Sequence, residues 1–570
     1  MQSPSQQASS TALSENERHG IGDTSLPLPE MAAPNSKEEE TKTREISSDS
    51  STDDLEPQWI SGLPLVNMMV ALSIVMFLVL LDGSIIGTAI PRITSEFHSL
   101  EDVGWYGSAF QLASAALGPL TGKIYATCDK KWTFIWFFAI FEVGSLLCGV
   151  AVSSNMLIVG RAVAGMGVAG LQNGGLTIVA SAVSLQRRAS LNGILVGLSQ
   201  LGIVMGPLIG GAFTSYSTWR WCFYINLPLG AVVAVALFFV RIPEQKATGK
   251  SERLSAKARA LIRDLDLLGF TLLTGFAIEL LLALQWGGSS YAWNSSVVIG
   301  LLCGAAVTLV LFLFWEHRKG DEAMIPFSIM TKRVVWCGCL VYGFLMASLF
   351  LLTYYLPIYF QSVLNATAIL SGVYTLPNIL AQLAAAIISG LLVGRLGYYL
   401  PWSIASAIMT SISTGLMSTF DVNTPAGKWV GYQILFGAGC GMGIQMPILA
   451  AQNSLAAQYI PIAIATLIFA QNMVTAIWLT IASTIFENSL RTLIVEYAPS
   501  VDAEVVINAG ATGIRDVVPA GPVLTQVLAA YSKAIDNTFY LSTASLAASL
   551  LFVWGTGWKD IRKKKETSLS

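Results

Sequence analysis

Charged side chains are scarce. They make up 12% of the 570 residues, about half the roughly 25% share of a soluble globular chain, which excludes a water-facing surface along the whole length. Histidine is scarcer still: only His19, His98 and His317 occur. None forms a paired ligand arrangement with the seven cysteines, which lie in or beside apolar stretches. Neither a metal centre nor a disulfide framework is expected, and no cofactor is implied. The thiols read as free and buried. No apolar stretch joins a histidine to clustered carboxylates, so the chain is not expected to be an enzyme. Met1 opens no basic segment followed by an apolar core, so no signal peptide is expected.

What is present is apolar: 54% of the residues are hydrophobic and the mean hydropathy is +0.61. These residues lie beyond position 58. Residues 1–58 hold twelve acidic residues against Arg18, Lys37, Lys42 and Arg44, and this tail is too poor in apolar side chains to build a core, so disorder is expected. Beyond it, stretches long enough to cross a bilayer fall near 64–90, 104–126, 132–152, 157–180, 190–214, 221–241, 266–286, 297–316, 336–360, 370–394, 401–420, 429–450, 462–486 and 537–556. The expectation is an all-α integral membrane protein with about fourteen transmembrane helices. The basic surplus of this part sits in short loops rather than on one soluble face, so no nucleic-acid partner is expected.

Loop charge orients the spans. With the tail placed in the cytoplasm, inner loops carry 22 Lys and Arg against six outside, so both termini are expected inside. The basic segment 241–263 is expected along the inner lipid surface. The sequons at Asn294 and Asn365 then fall outside, as candidate glycosylation sites. Residues 487–536 form the one long outer loop on this map, with apolar residues suggesting short helices on the outer face.

Gly165-Met-Gly167-Val-Ala-Gly170 spells a dinucleotide fingerprint. However, it lies mid-span with no strand before it and no acidic residue suitably placed after it. Small residues that let membrane helices approach closely are the better reading. Around it stand further motifs: Leu81-Asp82-Gly-Ser-Ile-Ile-Gly-Thr-Ala-Ile-Pro91, Gly122-Lys123-Ile-Tyr with Asp129-Lys130-Lys131, and Arg161-x-x-x-Gly165. Gly202-x-x-x-Gly206-Pro207-x-x-Gly210-Gly211, Trp219-Arg-Trp-Cys-Phe-Tyr-Ile-Asn226-Leu-Pro228 and Leu284-Gln-Trp-Gly-Gly288 complete the set. Together they resemble the major facilitator superfamily, in its fourteen-span drug:proton antiporter group, with a likeness to fungal toxin and multidrug efflux pumps running from about residue 60 to 560.

The resemblance implies two six-helix bundles (59–241 and 336–556) with two inserted helices in the linker 242–335, and a basic tail at 557–570. It implies proton-coupled export of small amphipathic molecules by alternating access, from a plasma membrane or a vacuolar or vesicle membrane. The partners would be a small-molecule substrate, protons and lipid, and the protein a monomer. Proton-coupled uptake, for instance of an iron chelate, is the alternative. One departure stands out: Ala126 and Thr127 occupy positions where such proteins usually carry an acidic residue and an arginine. Lys123, Lys130 and Lys131 are left to serve any gating role with Gly122. Independently, Gly170-Leu-Gln172 is echoed by Gly443-Ile-Gln445 and Gln200 by Gln471, eight spans apart, which fits two inserted spans.

Charges inside a bilayer are costly and usually face a cavity or a partner. Asp82, Arg161 and Glu142 are therefore candidates for proton coupling, with Glu279 weaker because its span belongs to the insertion. Asp82 and Arg161 should lie at similar depth, either as a proton-dependent pair or as a permanent ion pair, unless Asp82 caps a helix break. Gly202, Gly206, Pro207, Gly210 and Gly211 can bend a helix and pack it tightly. Polar residues within spans (Gln172, Gln200, Tyr354, Tyr355, Asn378, Gln445, Gln471 and Asn472) are candidates for lining a substrate cavity, with hydrogen bonding between helices as the rival.

Overall fold

The computed structural model describes residues 59–98, 102–239, 265–288 and 291–562. The acidic tail 1–58, the basic segment 241–263 and residues 563–570 lie outside the described residues. Apolar runs of 20 or more residues coil into helices because only a helix satisfies every backbone N–H and C=O within one segment. In chain order these are α1 (Leu63–Phe97), α2 (Val103–Thr127), α3 (Lys130–Gly149), α4 (Ser154–Ala182) and α5 (Leu185–Tyr216). A single turn α6 (Trp221–Tyr224) leads into α7 (Asn226–Phe239), followed by α8 (Leu267–Trp286) and α9 (Ser296–Lys319). Beyond a one-turn helix at Phe327–Met330 come α10 (Arg333–Ser362), α11 (Ala368–Leu396), α12 (Leu400–Met417), α13 (Ala426–Gly443) and α14 (Met446–Ser454). The chain ends with α15 (Ile460–Tyr497), α16 (Ala503–Val517) and α17 (Pro522–Val553). Among the described residues no β-strand forms, only two isolated bridges.

Helix starts follow local chemistry. The side chains of Asp129, Ser153, Ser295 and Thr367 accept hydrogen bonds from the first-turn N–H groups of α3, α4, α9 and α11, which would otherwise lack partners. Two helix breaks follow from proline. Pro228 has no N–H for the Tyr224 carbonyl, and α6 gives way to α7 between them; Pro447 has none for Gly443, the last residue of α13.

Among the described residues, twelve helical stretches are long and apolar enough to cross a membrane. The α2 and α12 helices stand where the other two spans were expected and fall outside that set. At the other face the structure departs from the expected loop. The α15 helix runs on to Tyr497 and α17 begins at Pro522, so only 498–521 lies between them. Within it α16 packs Val506 and Ile514 into the core. Of the apolar residues expected in short helices there, Leu493, Ile494 and Leu528 extend the helices on either side, while Val505 and Val506 lie in the short helix α16.

Ile60 N–H bonds to the Ala182 carbonyl, and Ile561 N–H to the Gly397 carbonyl. Both described chain ends therefore share one face, termed here the terminal face. The α1–α7 helices pack chiefly on each other, as do α10–α17; α5 meets α11 and α2 meets α15 across the middle. The α8 and α9 helices pair and bury only 22% and 17% of their apolar windows, against 72% for α10. They lie at the rim, with α8 against α2.

Candidate functional site

The site begins with small residues. On α5, a Cβ at Gly202 would strike the backbone of Phe77 and Leu81, one at Gly206 the Ser84 side chain, and one at Gly210 Thr88 and Ile85. This stripe of three glycines, spaced four apart, draws α5 onto α1, and Ser84 Oγ donates to the Gly202 carbonyl at 3.1 Å. Gly211, outside the stripe, faces open space. On α4, Gly165 abuts the Phe110 backbone, while Gly167 and Gly170 abut Phe141 and Phe137. The fingerprint-like glycines are thus contact surfaces for α2 and α3.

Close packing of α1, α2, α4 and α7 buries one ion pair. Arg161 Nη1 lies 2.5 Å from Asp82 Oδ2, with Asp82 fully buried and Arg161 1% exposed. Arg161 Nε donates to the Tyr106 carbonyl at 2.9 Å, and its guanidinium stacks 4.2 Å from the Phe110 ring centre. Asp82 Oδ1 accepts from Asn226 Nδ2 at 3.0 Å, and the same nitrogen lies 3.0 Å from Ser145 Oγ. The helix break before Pro228 places Asn226 at the start of α7, aimed at Asp82. Ser145 and the role of Asn226 were missed in the sequence, although Asn226 stands in the Trp219–Pro228 motif.

Glu142, one turn before Ser145 on α3, sits beside Gly230 of α7. Neither carboxylate oxygen has a hydrogen-bond partner among the described residues. Glu279 is held apart from all this, bonded by Thr308 of α9 at 2.9 Å.

Beside the ion pair, between the two sets of helices, lies a cavity of about 560 Å³. Of the candidates, Gln172, Gln200, Pro207, Tyr354, Asn378, Gln471 and Asn472 line it. Gln111, Gln361 and Gln382, not singled out in the sequence, line it too. Gln382 could have been found, since it lies one turn from Asn378 on the same face of α11. Two candidates are elsewhere. Tyr355 is buried against Phe486, 5.6 Å between ring centres; consecutive helix residues diverge by about 100°, so the cavity takes Tyr354 alone. Gln445 is 1% exposed in the α13–α14 break and does not line the cavity. Phe110 and Gly83 stand in the wall while Asp82 and Arg161 do not, so the pair lies just behind it.

The lining comes from the halves of α1, α2, α10 and α11 remote from the terminal face. Toward the terminal face the gap is shut. A Cβ at Gly193 would touch Ala386, one at Gly197 Leu383, one at Gly390 the Ser190 backbone and one at Gly394 the Gln186 carbonyl. Across the other seam, a Cβ at Gly122 would come within 2.7 Å of the Ala465 Cβ. Lys123, next in sequence, donates to the Glu322 carbonyl at 2.5 Å, and Lys131 to the Phe238 carbonyl at 2.7 Å. Lys130 opens α3, half-buried. Asn294 and Asn365 are both exposed on the opposite face.

Among the described residues no group of three His, Cys, Asp or Glu side chains could hold a metal ion. The arrangement offers a substrate-sized chamber on the side away from the terminal face, beside a buried carboxylate–guanidinium pair.

Comparison with known proteins points the same way. The Major Facilitator Superfamily model matches residues 72–483. The MFS-type transporter pigP of Monascus ruber is 59% identical over 504 residues, covering 88% of each chain. The efflux pump mokI of Monascus pilosus is 51% identical over 512 residues, 89% of this chain and 94% of that one. The efflux pump mlcE of Penicillium citrinum is 48% identical over 549 residues, 95% and 98% of the two chains. Among solved structures, the proton:xylose symporter XylE shares the fold with a TM-score of 0.56 at 14% identity, over 87% of this chain and 97% of that one. The human organic anion transporter MFSD10 does so with a TM-score of 0.52 at 12% identity, over 85% and 100%.

Proposed function

The chain belongs to the major facilitator superfamily and is a membrane transporter; from that premise we propose that it exports small amphipathic organic molecules in exchange for protons. The observation carrying this reading is the chamber between the two helix sets, shut toward the terminal face by the glycine seams, with the Asp82–Arg161 pair directly behind its wall. The relatives mokI and mlcE are named efflux pumps, which supports export over uptake. The wall supports an amphipathic cargo: Val79, Ile86, Val204, Leu352 and Ile379 give apolar surface, and the amides scattered among them hydrogen-bond its polar groups.

In this reading fourteen helices cross a plasma membrane, the terminal face is cytoplasmic, and the structure is the outward-open state of a monomer. The α1–α7 and α10–α17 bundles rock about the chamber. A proton entering from outside neutralises Asp82 and frees it from Arg161; the glycine seams on the cytoplasmic side part while the outer mouth closes. Release of that proton inward restores the ion pair and resets the cycle with cargo bound. Asn226 and Ser145 are placed to hold the neutral carboxyl while Arg161 remains on Tyr106. Lys123 clips the end of α2 to the segment after α9, and Asn294 and Asn365 are available to glycosylation outside.

Inside-out vesicles test this reading. A proton-rich lumen should drive cargo accumulation in the lumen, and collapse of the gradient should abolish it. Equal accumulation with and without both pH gradient and membrane potential would remove proton coupling.

A further inference from the structure

We infer that the cargo of this chamber is uncharged, an apolar body bearing carbonyl and hydroxyl oxygens, so that each exchanged proton carries an uncompensated charge across the membrane. The inference rests on the export reading above and names the substrate class of the same site.

The first ground is the lining. Its polar members are amides and hydroxyls, and no Asp, Glu, Lys, Arg or His is among them. An ion entering such a chamber gives up water and meets no opposite charge, which is strongly unfavourable. The one ion pair nearby cannot serve. Asp82 and Arg161 satisfy each other, sum to zero charge and are shut behind Phe110 and Gly83.

The second ground is a pair of unpartnered amides. Gln382 is 1% exposed, and neither its oxygen nor its nitrogen has a hydrogen-bond partner among the described residues. One turn earlier on α11, Asn378 is 7% exposed with its Oδ1 likewise unpartnered. Buried amide groups are costly to leave unpaired, and these two, unlike the equally unpartnered Gln445 and Gln452, stand in the chamber wall, where a ligand can pair them. An amide offers a donor and an acceptor side by side. A ketone, ester or lactone oxygen takes the N–H, and a hydroxyl gives its proton to the amide oxygen. Neither amide supplies the opposite charge that would repay a carboxylate or an ammonium for its lost water.

Charge balance then follows. An antiporter trading one proton for one monovalent cation moves no net charge; trading protons for a neutral molecule moves one charge per proton. Membrane potential alone should therefore drive this transporter.

The test uses the full-length chain and three steroids on one skeleton: hydrocortisone, its anionic 21-hemisuccinate and its cationic 21-amine. In detergent, displacement of Nile red should need at least about tenfold less hydrocortisone than either ion, the chemistry of a buried unpaired charge setting that floor. Equal potency of the amine or the hemisuccinate overturns the inference, whether or not transport occurs. Asn378→Asp keeps the shape and adds a carboxylate, and should bring the amine to parity or better; an unaltered ranking in this variant also counts against an uncharged site. In inside-out vesicles without a pH gradient, a lumen-positive potential of about 100 mV should accumulate hydrocortisone up to about fifty-fold at one proton per molecule. Accumulation that responds to pH gradient but not to potential overturns the inference and leaves proton-driven export standing. Accumulation under neither force removes the export reading, while the displacement ranking still judges the charge preference.

Discussion

Arg161 meets Asp82 through one nitrogen only. Its Nη1 lies 2.5 Å from Asp82 Oδ2, while its Nε holds the Tyr106 carbonyl at 2.9 Å. The arginine therefore keeps a partner, and the face of Phe110, when the carboxylate is neutralised. Asp82 keeps one as well, through Asn226 at 3.0 Å. Such a pair can open without stranding either side chain, as the proposed coupling requires.

Asp82→Asn should bind cargo and exchange it downhill but fail to concentrate it. Each pH unit offers about 1.4 kcal/mol per proton, and the amide cannot carry that proton. Removing one member of a buried pair costs about 3–5 kcal/mol, so loss of insertion is the competing outcome. Asp82→Asn/Arg161→Gln removes both charges and should restore insertion but not accumulation. If either variant concentrates cargo as well as the parent, coupling lies elsewhere, and Glu142→Gln is the next variant to assay.

Gly206 and Gly211 separate packing from flexibility on α5. A Cβ at Gly206 collides with Ser84, whereas one at Gly211 meets nothing within 4 Å. Gly206→Ala should lower thermal stability by about 1–3 kcal/mol through overpacking. Gly211→Ala should be neutral or stabilising, since alanine favours the helix by up to about 1 kcal/mol. Equal effects in a detergent melt would show that the stripe is not a packing surface.

The helices were legible because twenty apolar residues in a row leave few alternatives. The charged pair was legible because charge at that depth needs a partner. What escaped the sequence depends on direction and on contacts distant along the chain. Tyr354 and Tyr355 are equivalent in composition, but only one can face the chamber. Gln382 and Asn378 share a face, yet only the packing of α11 on α5 shows that this face lines a cavity. Asn226 needed the backbone break before Pro228, a break that the missing proline N–H could have announced.

Acid should weaken the opposite face through Glu96. Hydrogen bonds from Arg220, then from the Trp219 indole, hold its carboxyl below the ordinary range; Trp219 Nε1 lies 2.6 Å away and Arg220 Nη2 2.9 Å. A depressed value means that the contribution to stability is complete above the unfolded glutamate value of about 4.3. It is lost as the pH falls through the lower folded value. The side chain is 45% exposed, so the effect should be small and weakened by salt. A melting temperature that declines below about pH 4 in the parent should decline less in Glu96→Gln; identical acid profiles would discount the pair.

A glycine seam between α5 and α11 closes the terminal face. Gly390 lies against the Ser190 backbone with no room for a Cβ, and Gly394 meets Gln186 in the same way. If this contact holds the outward-open state, a side chain at Gly390 should force α5 from α11 there and leave the opposite state less affected. An overpacking penalty of about 1–3 kcal/mol would shift a two-state balance about 5- to 150-fold. Gln200→Cys in the chamber wall reports the shift, with exposed Cys303 and half-buried Cys128 replaced to remove background. In the Gly390→Leu background, an impermeant thiol reagent should label Cys at 200 faster from the terminal face and more slowly from the opposite face. Slower labelling from both faces would indicate general collapse, which a melt would register. Unchanged labelling from both faces, in a protein that melts normally, would show that the seam yields without moving the bundles and that the gate lies at Gly122 and Ala465 instead.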